Sequence, residues 1–181
     1  MHNASLLTHI GRILGLLFVA AHLYAAAADE SRKLTDAERA SLLEAAAALQ
    51  KGFENGDADA IIRGTNKAIT KIVSQEQFEA LTRQAMASMK DVKFESAADG
   101  EPTECWKIKD GELCLLPRKS VILVQGKRVS VVAFFICVLE DGKWTFLDNG
   151  SVSKDPELLW RLFPELPRSV KLLPSEVKVL E

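Results

Sequence analysis

The chain has 181 residues, 48% of them hydrophobic and 27% charged, with a formal net charge of −2. That length suits one domain of ordinary size. The composition excludes a disordered chain or a membrane bundle, and the near-balanced charge offers no basic excess for nucleic acid.

The first 28 residues differ from the rest. They hold Arg12 and no Asp or Glu, then an apolar run from Ile13 to Ala21, then Ala25 to Ala28. Basic, apolar, then small is the order of a bacterial-type secretory signal peptide. Ala26 and Ala28 satisfy the small-x-small rule and place the cut before Asp29. The stretch Ile13 to Ala28 is short against the roughly 20 apolar residues of a membrane span; an uncleaved anchor is the alternative. No Cys follows the run, which argues against a lipoprotein. Cleavage would remove all three histidines (His2, His9, His22) and the only tyrosine, Tyr24. With Arg12 gone from the 23 basic residues, against 25 acidic ones, the net charge becomes −3. The expected product is periplasmic or secreted, with no stable membrane span.

After a polar lead-in from Asp29 to Leu34, Thr35-Asp36-Ala37-Glu38 reads as a capping box. Leu42, Ala46, Leu49 and Phe53 recur at helical spacing behind it, and Asn55-Gly56 supplies the left-handed stop. Asp57 is an N-cap for a shorter helix carrying Ala60, Ile61 and Ile62, which Gly64 breaks. Ala68 to Val73 fits helix or strand. Ser74-Gln75-Glu76-Gln77 is a second capping box, and Phe78, Leu81, Ala85 and Met89 mark one face of a third helix.

Beyond Asp91 the period becomes extended. A strand region opens at Val92-Lys93-Phe94 and is interrupted by Gly100-Glu101-Pro102. Asp110-Gly111, Gln125-Gly126 and Asp141-Gly142 are hairpin signals. They predict a meander with strands near 103–109, 112–124, 127–139 and 144–148. A two-residue Gln125-Gly126 loop pairs Val124 with Lys127 and, counting back, Cys114 with Cys137. A two-residue Asp141-Gly142 loop sets Cys137 opposite Phe146 and Leu139 opposite Trp144. One sheet face then carries Cys114, Leu116, Ile122, Phe135, Cys137, Leu139, Trp144 and Phe146. The other carries Leu113, Leu115, Val121, Leu123, Phe134, Ile136, Val138 and Leu147.

Both faces are apolar, whereas an antiparallel sheet with one wet face alternates. One face must take the helices and the other needs a second cover. Two covers are available. One is the tail, where Asp155-Pro156 forms an N-cap and N1 pair before Leu158, Leu159, Leu162 and Phe163. The other is a second copy of the chain, making a homodimer through the outer face. The proline-rich segment 164–181 is expected to run as an extended arm after a domain spanning 29–163.

Helices followed by an antiparallel meander make the fold class α+β. Two stretches, Phe53-Glu54-Asn55-Gly56-Asp57-Ala58-Asp59-Ala60-Ile61 and Glu140-Asp141-Gly142-Lys143-Trp144-Thr145-Phe146-Leu147-Asp148, give the chain a form that resembles the NTF2-like (SnoaL-like) superfamily. That resemblance implies helices packed on a curved sheet, a pocket between them, and often a dimer through the outer sheet face. The family holds isomerases, dehydratases and hydrolases beside members that only bind. Its enzymes commonly pair an acid with Tyr or His in the pocket. The chain after the leader has neither, so no catalytic residue is carried over.

The same gap constrains other chemistry. Serine or cysteine hydrolysis normally needs a base beside the nucleophile, most often His. Three cysteines without a CxxC spacing make no common zinc site, and no phosphate loop or dinucleotide fingerprint is present. No metal or cofactor is therefore expected. Asp148 is the best single acid, ending the last strand on the face of Trp144 and Phe146, where an apolar setting would raise its pKa. Its bland alternative is a turn with Asn149-Gly150. Trp106, Phe135, Trp144 and Phe146 are the candidate ligand-binding aromatics, with simple core packing as the alternative. Arg118-Lys119 and Lys127-Arg128 read as a solvated edge guard.

Cys105, Cys114 and Cys137 are disulfide candidates, since an exported chain meets an oxidising compartment. Directly opposed Cβ atoms lie about 4.5–5.5 Å apart, and a disulfide needs nearer ~3.8 Å, so a non-hydrogen-bonded site is required. A two-residue Asp110-Gly111 loop sets Cys105 diagonal to Cys114. An odd thiol must stay free, and three buried thiols acting as small hydrophobes is the other reading. The expected function is that of an exported, non-catalytic binding module engaging a small apolar ligand or an envelope protein. The alternatives are a carboxylate enzyme of isomerase or dehydratase type using Asp148, and a structural dimeric envelope accessory protein.

Overall fold

The structure, a computed structural model, describes residues 31–180. The leader expected over 1–28 and its cleavage point lie outside the described residues. The protein is α+β: helices followed by an antiparallel sheet of seven strands.

The helical part begins as its capping signals dictate. Helix α1 spans Asp36–Asn55; Thr35 accepts from the Glu38 backbone while Glu38 returns a bond to Thr35, and Gly56 closes it at φ 65°. Such a left-handed residue costs glycine little and other residues more. Asp57 caps α2, Ala58–Gly64, by accepting from Ala60. The ambiguous stretch that follows is neither α-helix nor strand: Lys67–Lys71 form a 3₁₀ turn capped by Asn66. Helix α3 spans Gln75–Ser88 behind the Ser74 capping box. Its inner face differs from the expected one. Thr82 and Met86 are buried, Ala85 is exposed and Leu81 is 57% exposed. The stripe runs Phe78, Thr82, Met86, every fourth residue; Thr82 joins it because its hydroxyl is satisfied by the Phe78 carbonyl at 2.9 Å.

The sheet is organised around one long hairpin. Its strands are β1 (Ser31–Arg32), β2 (Lys93–Asp99), β3 (Cys105–Ile108), β4 (Gly111–Val124), β5 (Lys127–Glu140), β6 (Lys143–Asp148) and β7 (Glu176–Val179). β4 and β5 pair along their whole length. Along the outer edge of β4, β3 pairs its first half and β2 its second; along β5, β6 and β7 divide the edge in the same way. The pairings Cys114 with Cys137, Cys137 with Phe146 and Leu139 with Trp144 are the ones counted from the loops. Gln125 and Asp141 take φ 50° and the glycines after them φ 78° and 74°, the left-handed pair a two-residue turn requires.

The first hairpin departs from expectation. Ile108 pairs with Gly111, so Lys109-Asp110 forms the loop and Gly111 belongs to the strand. A Cβ on Gly111 would stand 2.0 Å from the carbonyl oxygen of Leu139. This glycine serves close approach to β5 rather than turn geometry. The shift sets Cys105 directly opposite Cys114 instead of diagonal to it.

Each sheet face has its own core. On one, Leu42, Ala46, Leu49, Ile61 and Met86 from the helices pack on Cys114, Leu116, Phe135, Cys137, Trp144 and Phe146. On the other, Leu113, Leu115, Phe134, Ile136, Val138 and Leu147 meet Val152, Leu158, Leu159, Leu162 and Phe163, with Leu166 and Val170 beyond. The chain thus covers its own outer face with two short helices, α4 (Gly150–Lys154) and α5 (Glu157–Leu162), and the segment after them. The expected arm over 164–181 is, in its described part, not a plain arm: Leu166 and Val170 are core, and β7 joins the sheet. Asp155 does not cap α5, whose N-cap is Pro156 without a side-chain bond; its carboxylate instead pairs with Arg161.

The segment between α2 and α3 is latched to the sheet by Asn66, which is 1% exposed. Its backbone N–H donates to the Phe146 carbonyl at 2.9 Å, its Nδ2 donates to Thr145 Oγ1 at 2.8 Å, and its Oδ1 accepts from the Ala68 N–H at 2.8 Å. Three satisfied bonds make a buried amide tolerable where an unpaired one would cost about 1–3 kcal/mol.

Candidate functional site

Between α1, α2, α3 and the sheet lies a cleft of about 190 Å³. Its walls include Leu49 and Phe53 from α1, Ile61 from α2, Phe78 and Met86 from α3, and Phe135 and Phe146 from the sheet. The helices leave this space because α3 turns only its Phe78, Thr82, Met86 row inward. Phe135 and Phe146 meet edge to face, ring centroids 5.6 Å apart, a favoured aromatic arrangement. Behind Phe135 stands Arg118, its guanidinium 4.7 Å from the ring centroid.

Arg118 is 9% exposed and so is not part of a solvated basic edge; only Lys119, Lys127 and Arg128 are exposed there. Its Nε donates to Asp99 Oδ1 at 2.7 Å and its Nη1 to Gln50 Oε1 at 2.7 Å. Asp99 pairs across from Arg118 in the sheet register, which is why the two meet.

The four candidate aromatics separate. Phe135 and Phe146 line the cleft. Trp144 lies in the helix-side core and is 5% exposed. Trp106 sits on the other face, packed against the tail core, because strand alternation turns it away from Cys105. Asp148 stands at the cleft rim, solvent-exposed, with Oδ1 accepting from the Gly150 N–H at 2.7 Å. It therefore makes the turn into α4 and is not enclosed among the aromatics. Residues that the sequence left out of the site include Leu49, Phe53, Ile61, Phe78 and Met86. Their helical spacing marks them as apolar, but only the packing of three helices on the sheet shows that they border a gap.

Other hollows carry charged side chains in their walls. One of about 290 Å³ is lined by Lys67, Lys71, Lys109, Glu140 and Glu165. Two of its three lysines are engaged: Lys67 with Glu140 at 3.1 Å, Lys71 with the Leu162 carbonyl. A groove of about 500 Å³ runs past Glu54, Asn55, Arg83 and Lys90. Among the described residues, no group of three or more His, Cys, Asp or Glu is placed to hold a metal ion, and no helix is long and apolar enough to cross a membrane.

The fold and the cleft together define the class: an α+β protein with an apolar recess between helices and an antiparallel sheet. In comparison with known proteins the chain matches no family model, no curated protein and no solved structure.

Proposed function

We propose that the protein is an exported, non-catalytic binding module of the NTF2-like kind, and that the cleft between its helices and sheet takes a small apolar molecule. The observation that carries this reading is the cleft itself: ten apolar side chains around about 190 Å³, with only Thr65, Thr82 and Asp148 polar among the lining residues. A cavity of roughly 150 Å³ lined by such residues stays dry and holds a benzene-sized guest, whereas drug-sized ligands need about 300 Å³ or more. The leader-like first 28 residues support export, and the absence of His and Tyr after residue 28 supports binding over catalysis.

The test is thermal unfolding of the full chain with toluene, indole and short alkanols. A guest that binds only the folded state raises the melting temperature with its concentration. Ala85 is exposed and borders the cleft, so Ala85→Trp should plug the mouth without disturbing the core and abolish the rise. No rise with any guest, or an undiminished rise in Ala85→Trp, defeats the reading. Because Asp148 borders the same cleft, a carboxylate enzyme is the second reading. It requires turnover that Asp148→Asn removes while guest binding persists.

A further inference from the structure

The three cysteines form one row across three adjacent strands. Trp106 pairs with Leu113, which sets Cys105 opposite Cys114, and Cys114 pairs with Cys137. All three are buried thiols, Cys105 1% exposed and the others 0%. A row of this kind does not treat its two pairs alike. Along an antiparallel strand, each residue directs both backbone groups to one neighbour, and successive residues alternate. Leu115 directs both toward the β3 side: its carbonyl accepts from the Thr103 N–H at 2.9 Å and its N–H donates to Thr103 Oγ1 at 2.8 Å. Cys114 must then direct its own toward β5.

Cys114 and Cys137 are thus a hydrogen-bonded pair, with Cα atoms about 5.5 Å apart and diverging side chains, while Cys105 meets Cys114 thiol to thiol across a non-hydrogen-bonded position, where Cα atoms stand about 4.5 Å apart, just before the ladder slips by one residue and Thr103 bonds Leu115. Directly opposed Cβ atoms span about 4.5–5.5 Å, the shorter distances belonging to non-hydrogen-bonded pairs. A disulfide requires Cβ atoms about 3.5–4.5 Å apart. Only the Cys105–Cys114 pair reaches that window. Cys137 turns along its own strand, its thiol donating to the Phe135 carbonyl at 3.7 Å.

From this geometry we infer that Cys105 and Cys114 form the one disulfide of the protein, and that Cys137 remains a thiol. The bond forms by exchange with a small-molecule or protein disulfide. One cysteine thiolate attacks it to give a mixed disulfide, and the second cysteine displaces the leaving thiol. Two protein thiols lose two electrons and two protons, and the oxidant leaves as two thiols. The timing follows from burial. In the folded protein the Cys105 thiol is held well above its ordinary range, first by its hydrogen bond to Cys114 and then by burial. For Cys114, the bond from Cys105 lowers its pKa, but the bond to Cys137 and burial outweigh it and push it up. Thiolates are the reactive form, so exchange precedes closure of the helix-side core.

The test does not depend on where the protein resides. The full chain is unfolded, refolded in a glutathione redox buffer, trapped with an alkylating agent and digested with trypsin. The three cysteines fall in separate peptides: Phe94–Lys107, Asp110–Arg118 and Val129–Lys143. The expected result is Phe94–Lys107 joined to Asp110–Arg118, with the alkyl group on Cys137, and the same link in Cys137→Ser. Three alkylated thiols overturn the inference, as does a link from Asp110–Arg118 to Val129–Lys143 in the wild type. The same digest on protein recovered from an envelope extract bears separately on export: the link found after refolding but absent there would count against export and leave the pairing intact.

Discussion

The two halves of the β4–β5 hairpin are nearly equal in hydrophobicity and opposite in burial. In the half nearest β3 and β6, Leu113 to Leu116 are 0% exposed and Phe134 to Val138 no more than 8%. In the half flanked by β2 and β7, Val121 to Val124, Val129, Val131 and Val132 are all only half-buried. The difference lies in what reaches them. Helices α1 to α3 and the tail helices build the two cores over the first half, and no β4 residue after Leu116 or β5 residue before Phe134 belongs to either. Over the second half, Val177 and Val179 of β7 are 67% and 65% exposed. An apolar strand pattern states which residues can be buried; the length of the covering layers decides which are.

The contrast predicts unequal costs for truncating similar side chains. Ile136→Ala removes a fully buried side chain between Leu113, Leu115 and the tail helices, where the site cannot collapse, and should cost about 4 kcal/mol. Val131→Ala, half-buried in the second half, should cost about 1 kcal/mol. Urea unfolding of both variants measures the ratio. Equal costs would mean that the second half is covered in solution. Amide exchange should divide the same way, with the second half opening locally at lower free energy than the first.

The boundary itself can be broken. Arg118 closes the helix-covered face, held by Asp99, Gln50 and the Phe135 ring. Asp99→Ala leaves the guanidinium 9% exposed with only Gln50 as a hydrogen-bond partner. Stranding one member of a buried pair costs about 3 kcal/mol, so this substitution should rank just below Ile136→Ala. An Asp99→Ala, Arg118→Met double variant should recover most of the loss, since a matched apolar pair has no charge to strand. Denaturant unfolding of the single and double variants completes the cycle.

Much of this was legible before the structure. The capping boxes at Thr35 and Ser74, the left-handed Gly56, the two-residue loops Gln125-Gly126 and Asp141-Gly142 and the register of Cys114 with Cys137 all follow from local chemistry that one stretch of sequence contains. The misses share a cause. Gly111 belongs to a strand because of the Leu139 carbonyl on β5. Leu81 is exposed because α3 docks by its Thr82 and Met86 row. Arg118 is buried because Asp99 lies across from it. In each case the deciding partner is remote in sequence. The cleft was half legible: Phe135 and Phe146 follow from strand alternation, but a gap depends on how far apart the helices stand. Trp106 was legible and misassigned, since alternation from Cys105 already puts it on the opposite face.

The smallest effect concerns the rim of the covered half. Arg32 on β1 donates to Glu38 at the start of α1 and to Glu112 near the start of β4, tying strand and helix together. Its hydrogen bond to Glu38, with the Thr35 backbone N–H second, lowers the Glu38 carboxyl from 4.5 to about 2. A depressed carboxyl pKa means that the unfolded chain takes up the proton first. The stabilisation is therefore fully present above pH 4.5 and is lost as the pH falls toward 2. Glu38 is 29% and Arg32 41% exposed, so solvent screening holds the contribution to about 1 kcal/mol or less. Glu38→Gln should unfold more readily than the parent at pH 7 and converge with it at pH 2, and added salt should narrow the gap at pH 7. Parallel acid titrations of the two proteins, followed by urea midpoint, test this. A gap that persists at pH 2 would assign the cost to the capping hydrogen bonds at Thr35, which a neutral Gln also weakens, and would free the covered half from any dependence on this charge cluster.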